Sequence, residues 1–135
     1  MRKKTSSHKT PPGQRQLRVA ERIRHILAKI LMEGSFHDPF LEKSSLISVT
    51  AVDIGPDLKH ATAYVMPLGG KDVAQTVEAL NRAAGYFRSE IAPQLDLRYT
   101  PKVTFRPDNS FDEAEHINRL LNQERVRKDL EKQDE

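Results

Sequence analysis

Residues 72–91 read DVAQTVEALNRAAGYFRSEI, and their apolar positions Val73, Val77, Leu80, Ala84, Phe87 and Ile91 recur at steps of three and four. That period describes a helix with one buried stripe, and Asp72 stands where an N-cap is expected. Gly85 interrupts the helix at a cost of roughly 1 kcal/mol relative to alanine, yet the stripe continues beneath it. We therefore expect two shorter helices meeting at Gly85, with a kink or a close backbone approach at the small residues Ala83, Ala84 and Gly85. Pro93 ends the second of them.

Working outward, Leu46 to Ile54 and Ala61 to Met66 are β-branched or alternating, and Gly55, Pro56 and Asp57 between them supply the turn of a hairpin. On the first strand Ile47, Val49 and Ala51 keep one phase while Val52 and Ile54 take the other. Either both faces are partly covered or a bulge intervenes. Upstream of the hairpin, Val19, Ile23, Ile26, Leu27, Ile30 and Leu31 mark a helix from Gln16 to about Glu33, broken at Gly34 and followed by a loop at Asp38 and Pro39. Downstream of Pro93, Val103 to Arg106 form a short alternating strand. Ser110 with Glu113 then makes a capping box for a last helix carried by Ile117, Leu120 and Leu121. A helical crossover of about 30 residues joins the second and third strands, which requires a parallel or mixed element in the sheet. The expected class is α+β in two layers: helix, strand, strand, kinked helix pair, strand, then a C-terminal helix.

With 135 residues, 37% of them hydrophobic, eight aromatic and none tryptophan, the chain supports one modest core and no second one. Residues 1–14 read as a disordered basic tail, 15–122 as the folded domain and 123–135 as a charged C-terminal tail. The lack of cysteine removes disulfides, cysteine zinc sites and thiol nucleophiles. No apolar run approaches the roughly 18 residues of a membrane span, and the N-terminus lacks the apolar stretch of a secretory signal. A cytoplasmic location follows as the expectation. Net charge is +3, but residues 1–35 hold nine Lys or Arg against two acids, and the last 28 hold five against nine. The basic end suits a phosphate backbone or another anionic surface, and the acidic end points away from it.

Enzyme signatures fail one element at a time. Gly69, Gly70 and Lys71 look like the tail of a phosphate loop, but Val65 occupies its first glycine position and Asp72 the place of its Ser or Thr. The five histidines, His8, His25, His37, His60 and His116, show no HExxH spacing. Asp53, Asp57 and His60 gather near the hairpin turn, where an aspartate usually satisfies backbone groups. Ser44, Ser45 and Ser48 have no identifiable base. No catalytic set, metal site or cofactor is expected.

The positive feature is Arg15, Arg18, Arg22, His25 and Lys29, spaced by three and four along the first helix on the side away from its apolar stripe. They form a basic ridge about 20 Å long with no acid in it, Glu21 lying about 60° or more from its centre. Arginines there can grip successive phosphates bidentately, and the lysine acts as a point charge. A second candidate contact is Ala83, Ala84 and Gly85 between Arg82 and Arg88, where a helix N-terminus and flanking guanidinium groups suit a phosphate. A tight helix contact explains the small residues equally well. On charge alone, a general single-stranded nucleic-acid-binding module is as good a reading as a dedicated one.

Helix, hairpin, helix pair and strand in this order resemble the type II KH domain, which binds single-stranded nucleic acid through a GxxG loop between the paired helices. No GxxG occurs here, and Ala83, Ala84, Gly85 stands in its place. That substitution resembles the ribosome-binding factor A family, bacterial small-subunit assembly factors with a KH-like fold whose helix pair joins at an Ala-x-Gly kink. Arg18, Val19, Ala20, Glu21 and Ile23 keep that family's order, as do Asp38 and Pro39, then Asp57, Leu58 and Ala61. So do Gly85, Tyr86, Phe87 and Arg88, followed by Leu97, Arg98, Pro101, Phe105, Asp108 and Ser110. The similarity spans roughly residues 15 to 122. It departs at Phe40, where the family often has arginine, and at Glu113 and Ala114, where a glycine often follows the Asp-x-Ser. Nothing in the sequence suggests a dimer seam, so a monomer is expected, and the resemblance implies binding to the immature small ribosomal subunit and its 16S rRNA precursor near the 5′ and 3′ ends. It further implies support for 5′-end maturation and for growth in the cold, with no small-molecule substrate.

Overall fold

The structure, a computed structural model, describes residues 12–110 and 119–123. Most of the expected basic tail, and Glu113 and Ile117 of the expected last helix, lie outside these residues, although Ser110 and residues 119–123 have helical backbone. Helix α1, Gln14–Glu33, buries Ala20, Ile23, Ile26, Leu27, Ile30 and Leu31 and leaves Val19 half-buried. Gln16 ties its start to the sheet: the side-chain carbonyl accepts from the Gly13 amide at 3.1 Å, and Nε2 donates to the Ile54 carbonyl at 3.0 Å. At its end, a Cβ on Gly34 would sit 2.2 Å from the Phe36 ring and 2.8 Å from the Ile30 carbonyl, so only glycine lets Phe36 fold back against the core. The Ser44 hydroxyl donates to the Leu31 carbonyl at 2.8 Å and satisfies a buried helix end, so its role is structural.

Strands β1, Ile47–Ile54, and β2, His60–Pro67, pair antiparallel, and β3, Lys102–Pro107, adds to β2 in parallel, giving a mixed three-stranded sheet in the order β1-β2-β3. The register shifts between Val49 and Ala51, so the phase change along β1 is a bulge at Thr50. One face of the sheet, with Ile47, Val49, Ile54, Ala61, Ala63, Val65, Val103 and Phe105, is buried under the helices. Its central strand contributes small alanines that let the helices sit close. Thr62, Tyr64 and Arg106 point to the opposite face.

The helix pair is α2, Val73–Arg82, and α3, Ala84–Ile91. They meet at Ala83, with φ −92° and ψ 9°, and not at Gly85, which is ordinary helix in the first turn of α3. The Ala83 amide closes α2 by donating to Ala79 and Leu80 at 3.1 Å, and its carbonyl opens α3 by accepting from Phe87 at 3.1 Å. This bend lets Thr76, Ala79 and Leu80 on one helix and Phe87 and Ile91 on the other reach one core, a face rotated from the expected stripe because Val73 and Val77 are only half-buried. Asp72 precedes α2 but does not cap it through its side chain. Its backbone is left-handed at φ 53°, whereas a capping side chain usually reaches the first turn from extended backbone. Phe87, fully buried, packs its ring against Phe36 and Phe105 with centroids at 5.6 and 5.0 Å.

Strand β3 is an edge strand, and Asn81 of α2 covers it. Asn81 Nδ2 donates to the Phe105 carbonyl at 3.0 Å while its Oδ1 accepts the Phe105 amide at 2.8 Å, as a further strand would. Asn81→Asp keeps the acceptor and turns the donor into a second acceptor facing a carbonyl. We expect a loss of about 1–3 kcal/mol in urea unfolding, against near-neutrality for substitution of Gln75, exposed on the same helix. A second link joins Arg82 Nη2 to Asp38 Oδ2 at 2.7 Å. The Arg82 guanidinium, and after it the Phe40 amide, hold the Asp38 carboxyl below the usual carboxylate range. A depressed carboxylate stabilises the fold above its unfolded pKa and loses that contribution as pH falls through the folded one. Arg82→Gln should therefore lower stability at neutral pH and make no difference in acid below both values, measured by urea unfolding at the two pH values.

Candidate nucleic-acid interface

A helix that hides one stripe must turn the opposite one outward, and α1 does so: Arg15, Arg18, Arg22, His25 and Lys29 are all exposed. Among the described residues Arg15, Arg18 and Lys29 make no hydrogen bond or ion pair, so their donors face solvent. Arg22 is partly committed, its Nε and Nη2 lying 3.4 and 3.3 Å from the Gln94 carbonyl. His25 Nε2 lies 3.2 Å from Glu21 Oε1. Glu21 also takes the forked guanidinium of Arg24, which, more than His25, holds its carboxyl below the usual range. The acid that helical geometry set outside the ridge thus reaches its edge through His25.

Two contacts fix how the ridge lies relative to the helix pair. Arg22 meets Gln94 just beyond the C-terminus of α3, and Phe36, just beyond α1, meets Tyr86 and Phe87 near the N-terminus of α3, with centroids at 5.7 and 5.6 Å. Helices α1 and α3 therefore run antiparallel side by side, and the ridge leads along them toward the junction at Ala83.

At that junction Ala83 and Ala84 are half-buried and Gly85 is exposed. A Cβ built on Gly85 meets nothing within 4 Å, so among the described residues no backbone approaches it and the space there is open. Tyr86 beside it is 46% exposed, an aromatic ring at the head of the track. Arg82 stands at the same end but is bound to Asp38. Arg88 is turned inward: Nε and Nη2 donate to the Thr100 carbonyl at 3.1 and 2.9 Å, and the guanidinium lies 5.2 Å from the centre of the Tyr99 ring. Of the ten residues named from sequence, the fold brings nine along the α1 and junction side and spends Arg88 on holding the approach to β3.

One feature of this side carries no sequence motif. Residues Leu95, Asp96 and Leu97 run beside α1 and form a furrow with Arg15, Arg18, Val19 and Arg22. Only tertiary contact assembles it, so spacing along the chain gives no signal for it.

The hairpin cluster has a structural explanation. Asp57 Oδ1 accepts the Lys59 amide at 3.0 Å, and Leu58 donates to the Gly55 carbonyl at 2.9 Å, so the aspartate shapes the turn. Gly69 and Gly70 take φ of 81° and 66° to turn the chain from β2 toward α2. Among the described residues no group of three or more His, Asp or Glu is placed to hold a metal ion, and no helix is long and apolar enough to cross a membrane.

Comparison with known proteins agrees with this architecture. The family model described as ribosome-binding factor A matches residues 15–121. Ribosome-binding factor A of Methylobacterium sp. (strain 4-46) is 48% identical over 130 residues, covering 96% of this chain and 91% of that protein. Its counterpart in Nitrobacter winogradskyi is 47% identical over 131 residues, covering 96% and 95%. Among solved structures, the solution structure of a Thermotoga maritima protein described as a putative ribosome-binding factor A superposes with a TM-score of 0.62 at 32% identity, over 75% of this chain and 93% of that one. A homology model of Thermus thermophilus ribosome-binding factor A, fitted into the cryo-EM map of a 30S complex of that factor, shares the fold with a TM-score of 0.54 at 22% identity, over 70% and 96%. With the type II KH order of elements, a bend at Ala83 in place of a GxxG loop, and relatives matched over nearly their whole lengths, the chain belongs to the ribosome-binding factor A family.

Proposed function

We propose that this protein is a non-catalytic assembly factor that binds the immature small ribosomal subunit by gripping 16S rRNA phosphates. The observation that carries the reading is the outward row of Arg15, Arg18, Arg22 and Lys29, three of them with no partner among the described residues, on the face α1 does not bury. Family membership supports the subunit as the target, as does the 30S complex of the Thermus thermophilus relative. The junction at Ala83, Ala84 and Gly85 extends the track: the first-turn amides of α3 and the open space over Gly85 suit a phosphate, and Tyr86 offers a face for a base. Arg82 joins by exchanging the Asp38 carboxylate for a phosphate. His25 adds a donor when protonated, and Arg88 supports the site from within. Recognition of this kind reads shape and backbone more than base sequence, as fits contact with the precursor near its 5′ and 3′ ends. The finer reading is a cytoplasmic monomer that supports 5′-end maturation and growth in the cold, without cofactor or small-molecule substrate.

Binding through four or five phosphates gives a slope of log affinity against log salt of roughly −3 to −4. Arg15→Glu with Arg18→Glu touches no internal bond, so it should cut affinity for precursor small subunits by at least about tenfold and flatten that slope, with an unchanged circular-dichroism spectrum. Salt-independent binding, or undiminished binding by the double variant, contradicts the ridge. In lysate sedimented through sucrose, the protein should travel with free small subunits and be absent from polysomes.

A further inference from the structure

The furrow between the N-terminal half of α1 and residues 95–97 contains chemistry that a phosphate track alone does not need. One wall presents Arg15, Arg18 and Arg22, the floor is apolar, from Val19 and Leu95, and the far wall carries Asp96. Val19 and Leu95 are themselves packed against the core, so the floor is fixed. The Arg22 guanidinium is held at one end by the Gln94 carbonyl and keeps donors free for a ligand. An acid in this position weakens the attraction of its neighbours for a polyanion. Yet Asp96 is exposed and, among the described residues, forms no ion pair or hydrogen bond, so it is not there to hold the arginines in place.

Cationic wall, apolar floor and unpaired carboxylate together match the parts of a nucleotide. The arginines take the flanking phosphates, the floor takes a base face, and the carboxylate takes base N–H groups. The furrow lies open to solvent and offers about 350 Å³, at the small end for ligand sites and room for a single nucleoside. Both carboxylate oxygens are satisfied only by two adjacent donors. Guanine supplies them in N1–H and the exocyclic N2 amine. In cytosine and adenine the amine lies next to a ring nitrogen that is itself an acceptor, and the one N–H of uracil is flanked by carbonyls. We propose that this furrow holds one unpaired guanine nucleotide of the RNA, with Asp96 as its reader. The inference rests on the reading of the ridge as an RNA-binding surface and adds base selectivity to it.

The test uses the full chain and fluorescence anisotropy with labelled hexaribonucleotides, uridine throughout except for one central position carrying guanosine, inosine or uridine. The guanosine oligomer should bind roughly tenfold more tightly than the all-uridine one, and inosine, which lacks the N2 amine, should fall between. Asp96→Asn should bring the guanosine oligomer down to the uridine value, and Arg18→Glu should weaken all three together. If the wild-type chain shows no guanosine preference, or if Asp96→Asn retains it, the guanine site is overturned while the ridge stands on the Arg18→Glu result. If Arg18→Glu leaves every affinity unchanged, the ridge fails and the guanine site fails with it.

Discussion

Burial of Ile23, Leu27 and Leu31 between α1 and the sheet is the contact on which the rest of the molecule depends. Each side chain removed from water there contributes about 1.5–3 kcal/mol, far more than any surface ion pair in the structure. It also fixes the rotation of the helix about its axis. Once that stripe faces inward, Arg15, Arg18, Arg22 and Lys29 have one direction left to point. The functional surface is thus a geometric consequence of the core, and substitutions that loosen the core would scatter the ridge as well as unfold the chain.

The arginines fall into two kinds by what they already hold. Arg15 and Arg18, with Lys29, have side chains without partners among the described residues, and a phosphate can meet them at little cost in reorganisation. Arg22, Arg82 and Arg88 bind a carbonyl, a carboxylate and a second carbonyl. For Arg82 an incoming phosphate competes with Asp38, and because that pair is exposed the exchange is nearly neutral. Arg88 sits deeper, and drawing it out would expose the segment leading into β3. A gradient from free to committed guanidinium groups therefore runs from the N-terminal half of α1 through the helix junction and inward.

Periodicity made much of this legible. The α1 stripe, the hairpin, the parallel third strand and the ridge all follow from spacing, because helix and strand periods act within a few residues. Features that depend on distant partners did not. Asp72 has the composition of a cap, but the left-handed turn out of β2 gives it another conformation. Gly85 has the composition of a helix break, yet Ala83 bends because its two helices must reach one core. The partner of Arg82 is 44 residues away, and Asn81 closes the edge of a strand 24 residues on. Nothing local signals either, nor the approach of Asp96 to α1.

The central claim is that RNA lies along α1 and the helix junction, on the helical side of the molecule. Ultraviolet cross-linking of the protein to isolated small subunits, followed by mass spectrometric identification of the linked peptides, tests it most directly. The account predicts cross-links in peptides spanning residues 15–29 and 82–86. Cross-links confined to the opposite face of the sheet, at Tyr64 and Arg106, would contradict it.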